Sequence, residues 1–385
     1  MPTSTISDEI LAGLAPRVAD KPHVVVAISG GVDSAVACLV LKELGVRCSA
    51  LFMKNWNEPD DSGQCRWEDD VHDALDVCDK LQIPLNTIDL SEAYWSEVFE
   101  DFVAEYRAGR TPNPDVLCNR EIKFKAFLDE AKKLGGDLIA TGHYARIAQQ
   151  DDGHQMLKGQ DDNKDQTYFL YTLGQAQLAA SLFPVGEIEK SKVREIARQA
   201  GFENHNKKDS TGICFIGEQN FREFLKNYVA VEAGPVLTED GRAIGEHDGV
   251  AFYTLGQRQG LGIGGVQGAR EAPWFVIEKS IADNALVVAQ EHEHPRLMSN
   301  WLTATQASWV AHAPPPAAGA GGLRCMAKTR YRQADQACQV EVREAGQIFV
   351  KFEQPQRAVT PGQSVVLYDG AQCLGGAVIT ETGMH

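Results

Sequence analysis

Residues 23–34, His-Val-Val-Val-Ala-Ile-Ser-Gly-Gly-Val-Asp-Ser, constrain this chain more than any other stretch. The first six form an apolar, β-branched run of the kind buried on both faces of a parallel sheet. A glycine turn follows at 29–34, then a helical spacing over 35–44 that stops at Gly45. Residues 48–53 read as a second strand. Strand, turn, helix and strand in succession make a βαβ unit, whose crossover commits the chain to a parallel sheet covered by helices. Further strands are expected at 83–90 and 137–141, and helices at 91–108 and 121–134.

Beyond residue 220 the helical period fades. Short strands at 250–255, 274–278 and 285–289 alternate with Gly, Pro and Asp turns. After a Pro/Ala/Gly stretch at 311–322, read as a loop or linker, antiparallel strands are expected at 338–342, 347–352 and 364–369. The expected architecture is therefore α/β: a doubly wound, Rossmann-like parallel sheet over 1–220, a small central β-rich domain over 221–292, and a C-terminal β-barrel over 293–385. Its 385 residues suffice for two or three such units.

Composition narrows the class. A content of 43% hydrophobic and 23% charged residues is that of an ordinary globular chain. The first twenty residues carry acids and no apolar run, so no signal peptide is expected, and no stretch is apolar enough for a membrane span. Nine cysteines without a Cys-x-x-Cys pair argue against a disulfide scaffold and against zinc or iron–sulfur ligation of the usual spacing. Reduced thiols in a cytoplasmic protein are the expectation. The net charge of −16 is concentrated: residues 57–101 hold fourteen acids against Arg66 and Lys80. Two short basic segments, 107–125 and 324–332, are left to meet phosphates or to form plain solvated faces.

Three segments carry chemistry. In Ser29-Gly30-Gly31-Val32-Asp33-Ser34, two glycines let backbone N–H groups converge on an anion at a helix N-terminus, with hydroxyls from Ser29 and Ser34. Asp33 can orient a metal or cap the helix, and no Walker lysine follows. In Asn113-Pro114-Asp115-Val116-Leu117-Cys118-Asn119, the prolines stiffen the approach to a helix. Cys118 lies near its start, where the dipole favours thiolate, with Asp115 as a neighbouring acid or base. The third segment, Gly212-Ile213-Cys214-Phe215-Ile216-Gly217, sets a thiol in a glycine-bounded loop downstream of Lys207 and Lys208. For either cysteine, a small buried residue is the competing reading. Gly260-Leu261-Gly262-Ile263-Gly264-Gly265 fits a dinucleotide fingerprint but follows a polar segment and opens no clear helix, so a nearby loop is the better reading. His292 and His294 are read as turn residues, and the remaining seven cysteines as structural.

The glycine turn resembles the pyrophosphate (PP) loop of ATP pyrophosphatases. Taken with the Asn-Pro-Asp-x-x-Cys-Asn segment, Gly142-His143-Tyr144, Lys164-Asp165-Gln166-Thr167-Tyr168, the Cys214 loop and Tyr253-Thr254-Leu255-Gly256-Gln257-Arg258, the chain resembles the MnmA family of tRNA-specific 2-thiouridylases from residue 23 to its end. The resemblance implies ATP, with Mg²⁺, bound by Ala27, Ile28, Ser29, Gly30, Gly31, Val32, Asp33 and Ser34, with Met53 and Gly142 beside the nucleotide. It implies that Asn113, Pro114 and Asp115 embrace the wobble uridine of tRNAs such as those for Lys, Glu and Gln, with Asp115 as acid/base. Cys214 would take persulfide sulfur from a sulfur-carrier protein or cysteine desulfurase. Cys118 would attack it, leaving a Cys118–Cys214 disulfide. His143, Lys164, Asp165, Gln166, Arg330, Tyr331 and Gln363 match tRNA-contacting positions, and a monomer is expected. No protein-held metal site is expected. The rivals are an amidating pyrophosphatase of the GMP synthetase type, which needs no second catalytic thiol, and a non-catalytic RNA-binding protein, which has no use for the PP loop.

Overall fold

A computed structural model of the chain describes residues 6–57, 67–151, 153–209, 221–229, 232–266, 268–319 and 321–384. Its first strands are β1 (His23–Ile28), β2 (Arg47–Lys54), β3 (Leu85–Asp89) and β4 (Leu138–Ala140). A hairpin of β5 (Ala145–Gln150) and β6 (Gly153–Lys158) follows, then the short β7 (Ser181–Leu182). Five of these make a parallel sheet in the order β3-β2-β1-β4-β7.

Alternation along a strand explains why β1 is apolar throughout. Val24, Val26 and Ile28 enter one core, packed with the helices Val32–Glu43, Trp67–Leu81 and Lys190–Gln199. Val25 and Ala27 enter the other, under helical stretches that include Phe99, Phe102, Ile122 and Phe127. The sheet is therefore doubly wound, as its sequence pattern requires. From β1 the chain first builds outward through β2 and β3, then returns to add β4 on the other side. Strand order thus reverses between β1 and β4, and ligands of open α/β sheets bind in the crevice beyond such strand ends.

The second half is β-rich. Strands β8 (Gly234–Thr238), β9 (Ala243–His247), β10 (Phe275–Ser280) and β11 (Ala285–Ala289) form a sheet in the order β10-β11-β8-β9. The strand expected at 250–255 is not formed. Val250–Phe252 is a 3-10 turn after Gly249, and Ala251, Phe252 and Tyr253 are all buried from it. Three successive buried side chains do not alternate between two faces, so this apolar run serves a turn rather than a ladder.

Strands β12 (Met298–Trp309), β13 (Leu323–Lys328), β14 (Gln336–Val342), β15 (Ile348–Arg357), β16 (Ser364–Asp369) and β17 (Gln372–Gly383) form the barrel. They run β12-β15-β14-β13-β16-β17, and pairing of β12 with β17 closes the six into an antiparallel barrel. Leu302, Val340, Val350, Leu367 and Ile379 fill it. The start of β17 also pairs with β6, Gln372 opposite Leu157 and Cys373 opposite Met156. The β5–β6 hairpin, which has no clear period in the sequence, thereby extends the barrel sheet. Tyr168 and Tyr171 pack with Val366 and Tyr368 over the seam and bond Ser364, so the two halves share one apolar core.

Candidate functional site

The glycine turn lies at the switch point. Gly30 has φ +71°, and a Cβ there would fall 2.3 Å from the Asp70 carbonyl oxygen, so only glycine fits. Ser34 Oγ accepts the Ser29 N–H at 3.1 Å and donates to the Gly31 carbonyl at 3.0 Å, knitting the loop closed on itself. Asn204 holds the Gly30 carbonyl at 3.0 Å. Gly142, two residues past β4, passes so close to the first turn of Val32–Glu43 that its Cβ would lie 2.7 Å from Ser34 N. Ala27 and Ile28 are buried in β1, so they offer backbone rather than side chain, while Met53 is half-buried at the end of β2. Residues 29–34 and Gly142 thus meet at one helix N-terminus, whose first N–H groups have no intrahelical acceptor, with Ala27, Ile28 and Met53 on the adjoining ends of β1 and β2.

Asp33 sits in a cluster of charges assembled from four parts of the chain. Lys190 Nζ donates to its two oxygens at 2.8 and 2.7 Å, and the Tyr144 hydroxyl donates to Oδ1 at 2.7 Å. Burial, then the Asp33 charge and this bond, push the Tyr144 phenol up, so it stays a donor. Lys190 also reaches Asp209 at 2.8 Å, and Asp209 takes Lys164 at 2.6 Å and Arg194 at 2.7 Å. Burial alone would raise the Asp209 carboxyl; bonds from Lys164 and Lys190 outweigh it and hold it at about 2. Nearby, Lys207 binds Asp70 at 2.7 Å and also pairs with Asp73. Part of the acidic stretch therefore fastens residues 204–209 over the turn. Lys190 and Arg194 escaped sequence reasoning, because Lys-Ser-Lys-Val-Arg reads as an ordinary exposed helix start.

A second region begins at the proline loop. Asn113 is extended, φ −117° and ψ 90°, and Pro114 takes the first position of the helix Pro114–Leu117, where a missing N–H costs nothing. The helix continues with π-type bonding over Cys118–Ala126 and then as Phe127–Lys133. Cys118 is its fifth residue and completely buried, with Val116, Ile122 and Phe124 in the same core. Asp115 is half-buried in the first turn. Gln363, from the barrel, donates to the Thr111 carbonyl at 2.7 Å and the Pro112 carbonyl at 3.3 Å, fixing the loop from behind. Cys214 and residues 210–220 lie outside the described residues; Asp209, one residue before them, stands beside Lys190.

Several of the remaining expected contacts face inward, and Asp165 and Tyr331 lie on the seam between halves. His143 is 9% exposed, bonded to Thr141 at 2.8 Å, and burial, then the Lys123 charge, hold its imidazole well below the usual range. Asp165 is 4% exposed and accepts from Thr167 and Gly159, with Lys328 at 3.9 Å. Gln166 accepts the Tyr144 N–H at 2.9 Å and returns its own N–H to the Tyr144 carbonyl. Arg330 donates to the Ala358 carbonyl at 2.6 Å, and Tyr331 packs on Phe169 at 4.6 Å with its hydroxyl toward the Lys164 carbonyl. Of the basic residues in 324–332, Lys328 is buried and Arg330 half-buried, which leaves Arg324 and Arg332 as the exposed pair. Among the described residues no helix is long and apolar enough to cross a membrane.

Comparison with known proteins covers nearly the whole chain. Family profiles match over 22–218 (tRNA methyl transferase HUP domain), 222–290 (tRNA methyl transferase PRC-barrel domain) and 299–379 (Aminomethyltransferase beta-barrel domain). The tRNA-specific 2-thiouridylase MnmA of Xanthomonas oryzae pv. oryzae (strain PXO99A) is 56% identical over 361 residues, 94% of each chain. MnmA of Francisella tularensis subsp. novicida (strain U112) is also 56% identical, over 94% of this chain and 99% of its own. Among solved structures, the U34-tRNA thiolase NcsA from Methanococcus maripaludis with its [4Fe-4S] cluster aligns over 57% of this chain and 70% of its own, at 16% identity and a TM-score of 0.36.

Proposed function

This chain belongs to the family of tRNA-specific 2-thiouridylases, sulfurtransferases that modify tRNA, and from that premise we propose that it replaces the C2 oxygen of the wobble uridine by sulfur, using ATP and a cysteine persulfide. The observation that carries the proposal is the joining of two pieces of chemistry in one fold. The anion cradle of residues 29–34 lies at the switch point, and the proline loop that leads to Asp115 and Cys118 is clamped by the barrel through Gln363.

A uracil C2 carbonyl is a weak electrophile with a poor leaving group. Transfer of AMP from ATP to the C2 oxygen releases pyrophosphate and makes that oxygen part of a good leaving group. Residues 27–34 with Met53 and Gly142 hold the nucleotide, and Asn113, Pro114 and Asp115 take the base, which has to leave its stack to expose C2. The terminal sulfur of a Cys214 persulfide bonds to C2 as AMP departs with the oxygen. The Cys118 thiolate then attacks the Cys214 sulfur, so the S–S bond to the base breaks, 2-thiouridine leaves, and a Cys118–Cys214 disulfide remains to be reduced. Asp115 takes and returns the proton.

Mg²⁺ supplies charge neutralisation on the phosphates. Among the described residues no group of three or more His, Cys, Asp or Glu is placed to hold a metal. The ion would be carried chiefly by ATP, with Asp33 as the neighbouring carboxylate. His143, Lys164, Asp165, Gln166, Arg330, Tyr331 and Gln363 line or brace the tRNA side. The substrates are tRNAs of the Lys, Glu and Gln type, the sulfur source a carrier protein or cysteine desulfurase, and the setting the cytoplasm, with the chain acting as a monomer. Mass analysis of tRNA nucleosides after incubation with ATP, Mg²⁺ and a persulfide donor tests this. The expected product is 2-thiouridine at the wobble position, formed with equal AMP. Thiolation without ATP consumption, or none at all, would overturn it.

A further inference from the structure

The PP loop holds no lysine, yet the phosphates it is proposed to bind carry several negative charges. A helix N-terminus offers only about half a positive charge. Lys190 brings a full one from another part of the fold. It opens the helix Lys190–Gln199, whose Val193, Ile196 and Ala197 share a core with Val36 and Val40 of the loop's own helix. Its backbone N–H is bonded to Asp161 at 3.0 Å, which fixes where the side chain starts. The residue is 8% exposed, and its ammonium lies between Asp33 and Asp209.

A buried lysine of this kind is usually held because its loss strands a buried carboxylate. Here both carboxylates keep a partner when it moves. Asp209 keeps Lys164 and Arg194, and Asp33 keeps the Tyr144 hydroxyl. The ammonium sits on a flexible four-carbon stem and can change partner without stranding either acid.

We infer that Lys190 is the phosphate-binding lysine of the cradle, moving from Asp33 to the outer phosphates of ATP when the nucleotide binds. This rests on the ATP-dependent reading above. Moving the lysine away frees the Asp33 carboxylate beside the same phosphates. Lys190 thus does from across the fold what a Walker lysine does from within its own loop. Asp209 is its positioning residue, holding the ammonium near the loop before ATP arrives.

The test measures ATP and AMP affinities of the full-length chain and of Lys190→Met and Lys190→Gln. AMP lacks the outer phosphates, so it reports on the fold and on the rest of the site. ATP affinity is expected to fall about 10- to 100-fold, the loss of one charge-assisted bond, while AMP affinity stays within about 2-fold. Equal losses for ATP and AMP, or no loss for ATP, would overturn the inference. Should neither variant fold, a crystal structure of the unaltered chain with a non-hydrolysable ATP analogue decides. Lys190 Nζ on a β- or γ-phosphate oxygen supports it, and Nζ still bonded to both carboxylates overturns it. An unaltered chain that binds neither nucleotide removes the functional reading itself. Tight ATP binding with an unchanged ATP-to-AMP ratio in the variants removes only the role of Lys190.

Discussion

At the scale of single residues, burial decides what a side chain can do. Cys118 is completely enclosed, so it is shielded from chance oxidation. If Cys214 carries sulfur and Cys118 releases it, Cys214→Ser accepts no sulfur. Cys118→Ser still accepts it on Cys214 and then stalls, because serine cannot close the disulfide. Labelled persulfide followed by nonreducing peptide mapping distinguishes the two; label on Cys118 in the Cys214 variant reverses the roles. His143 yields a pH prediction. Its folded pKa lies well below the usual value, so below pH 6.5 the unfolded chain takes up a proton that the native state refuses. Stability therefore falls with acidification through this group. His143→Gln, which keeps a partner for Thr141, should flatten that fall by up to about 1.4 kcal/mol per pH unit. An identical acid limb in denaturant titrations of both proteins would show that another group sets it.

Elements show how one segment serves packing and recognition together. The turn after β13 holds Arg330, bonded to the Ala358 carbonyl, and Tyr331, packed on Phe169. Arg330→Ala is expected to cost about 1 kcal/mol of stability through the lost bond. If Arg330 also meets a tRNA phosphate, the logarithmic salt slope of tRNA binding drops by about one unit. A lower melting temperature with an unchanged slope would leave the residue a docking role only, and would move the phosphate contact to exposed Arg332. The proline loop follows the same logic. Its own residues set a stiff, extended approach, and Gln363 of the barrel fixes where that approach ends.

For the molecule as a whole, the barrel is no detachable appendage. β17 pairs with β12, β16 and β6, and Tyr168 and Tyr171 bury their rings against the strands beside it. Deleting residues 293–385 removes those partners and exposes Met156 and both tyrosines. The 1–292 fragment is expected to melt well below the full chain and to bind a hydrophobic dye, with ATP turnover lost because Gln363 no longer holds the proline loop. A fragment as stable as the full chain would show that the shared core contributes little.

The sequence by itself determined whatever depends on neighbours along the chain. The apolar run of β1, the glycine turn with its helix, and the three barrel strands β14, β15 and β16 are local preferences and periods, and they form where the pattern put them; the helix expected at 121–134 begins earlier, at Pro114. The glycine turn of residues 29–34 was legible for the same reason, whereas the place of Gly142 against that turn depends on β4 pairing beside β1. The apolar run 250–255 misled because a buried turn and a short strand share a composition. Lys190 on Asp33, the β6–β17 pairing, Gln363 on the proline loop and the inward-facing Lys328 and Asp165 were decided only by tertiary structure. Each joins residues far apart in sequence, and a charge or an amide carries no local mark of the partner that the folded chain will set against it.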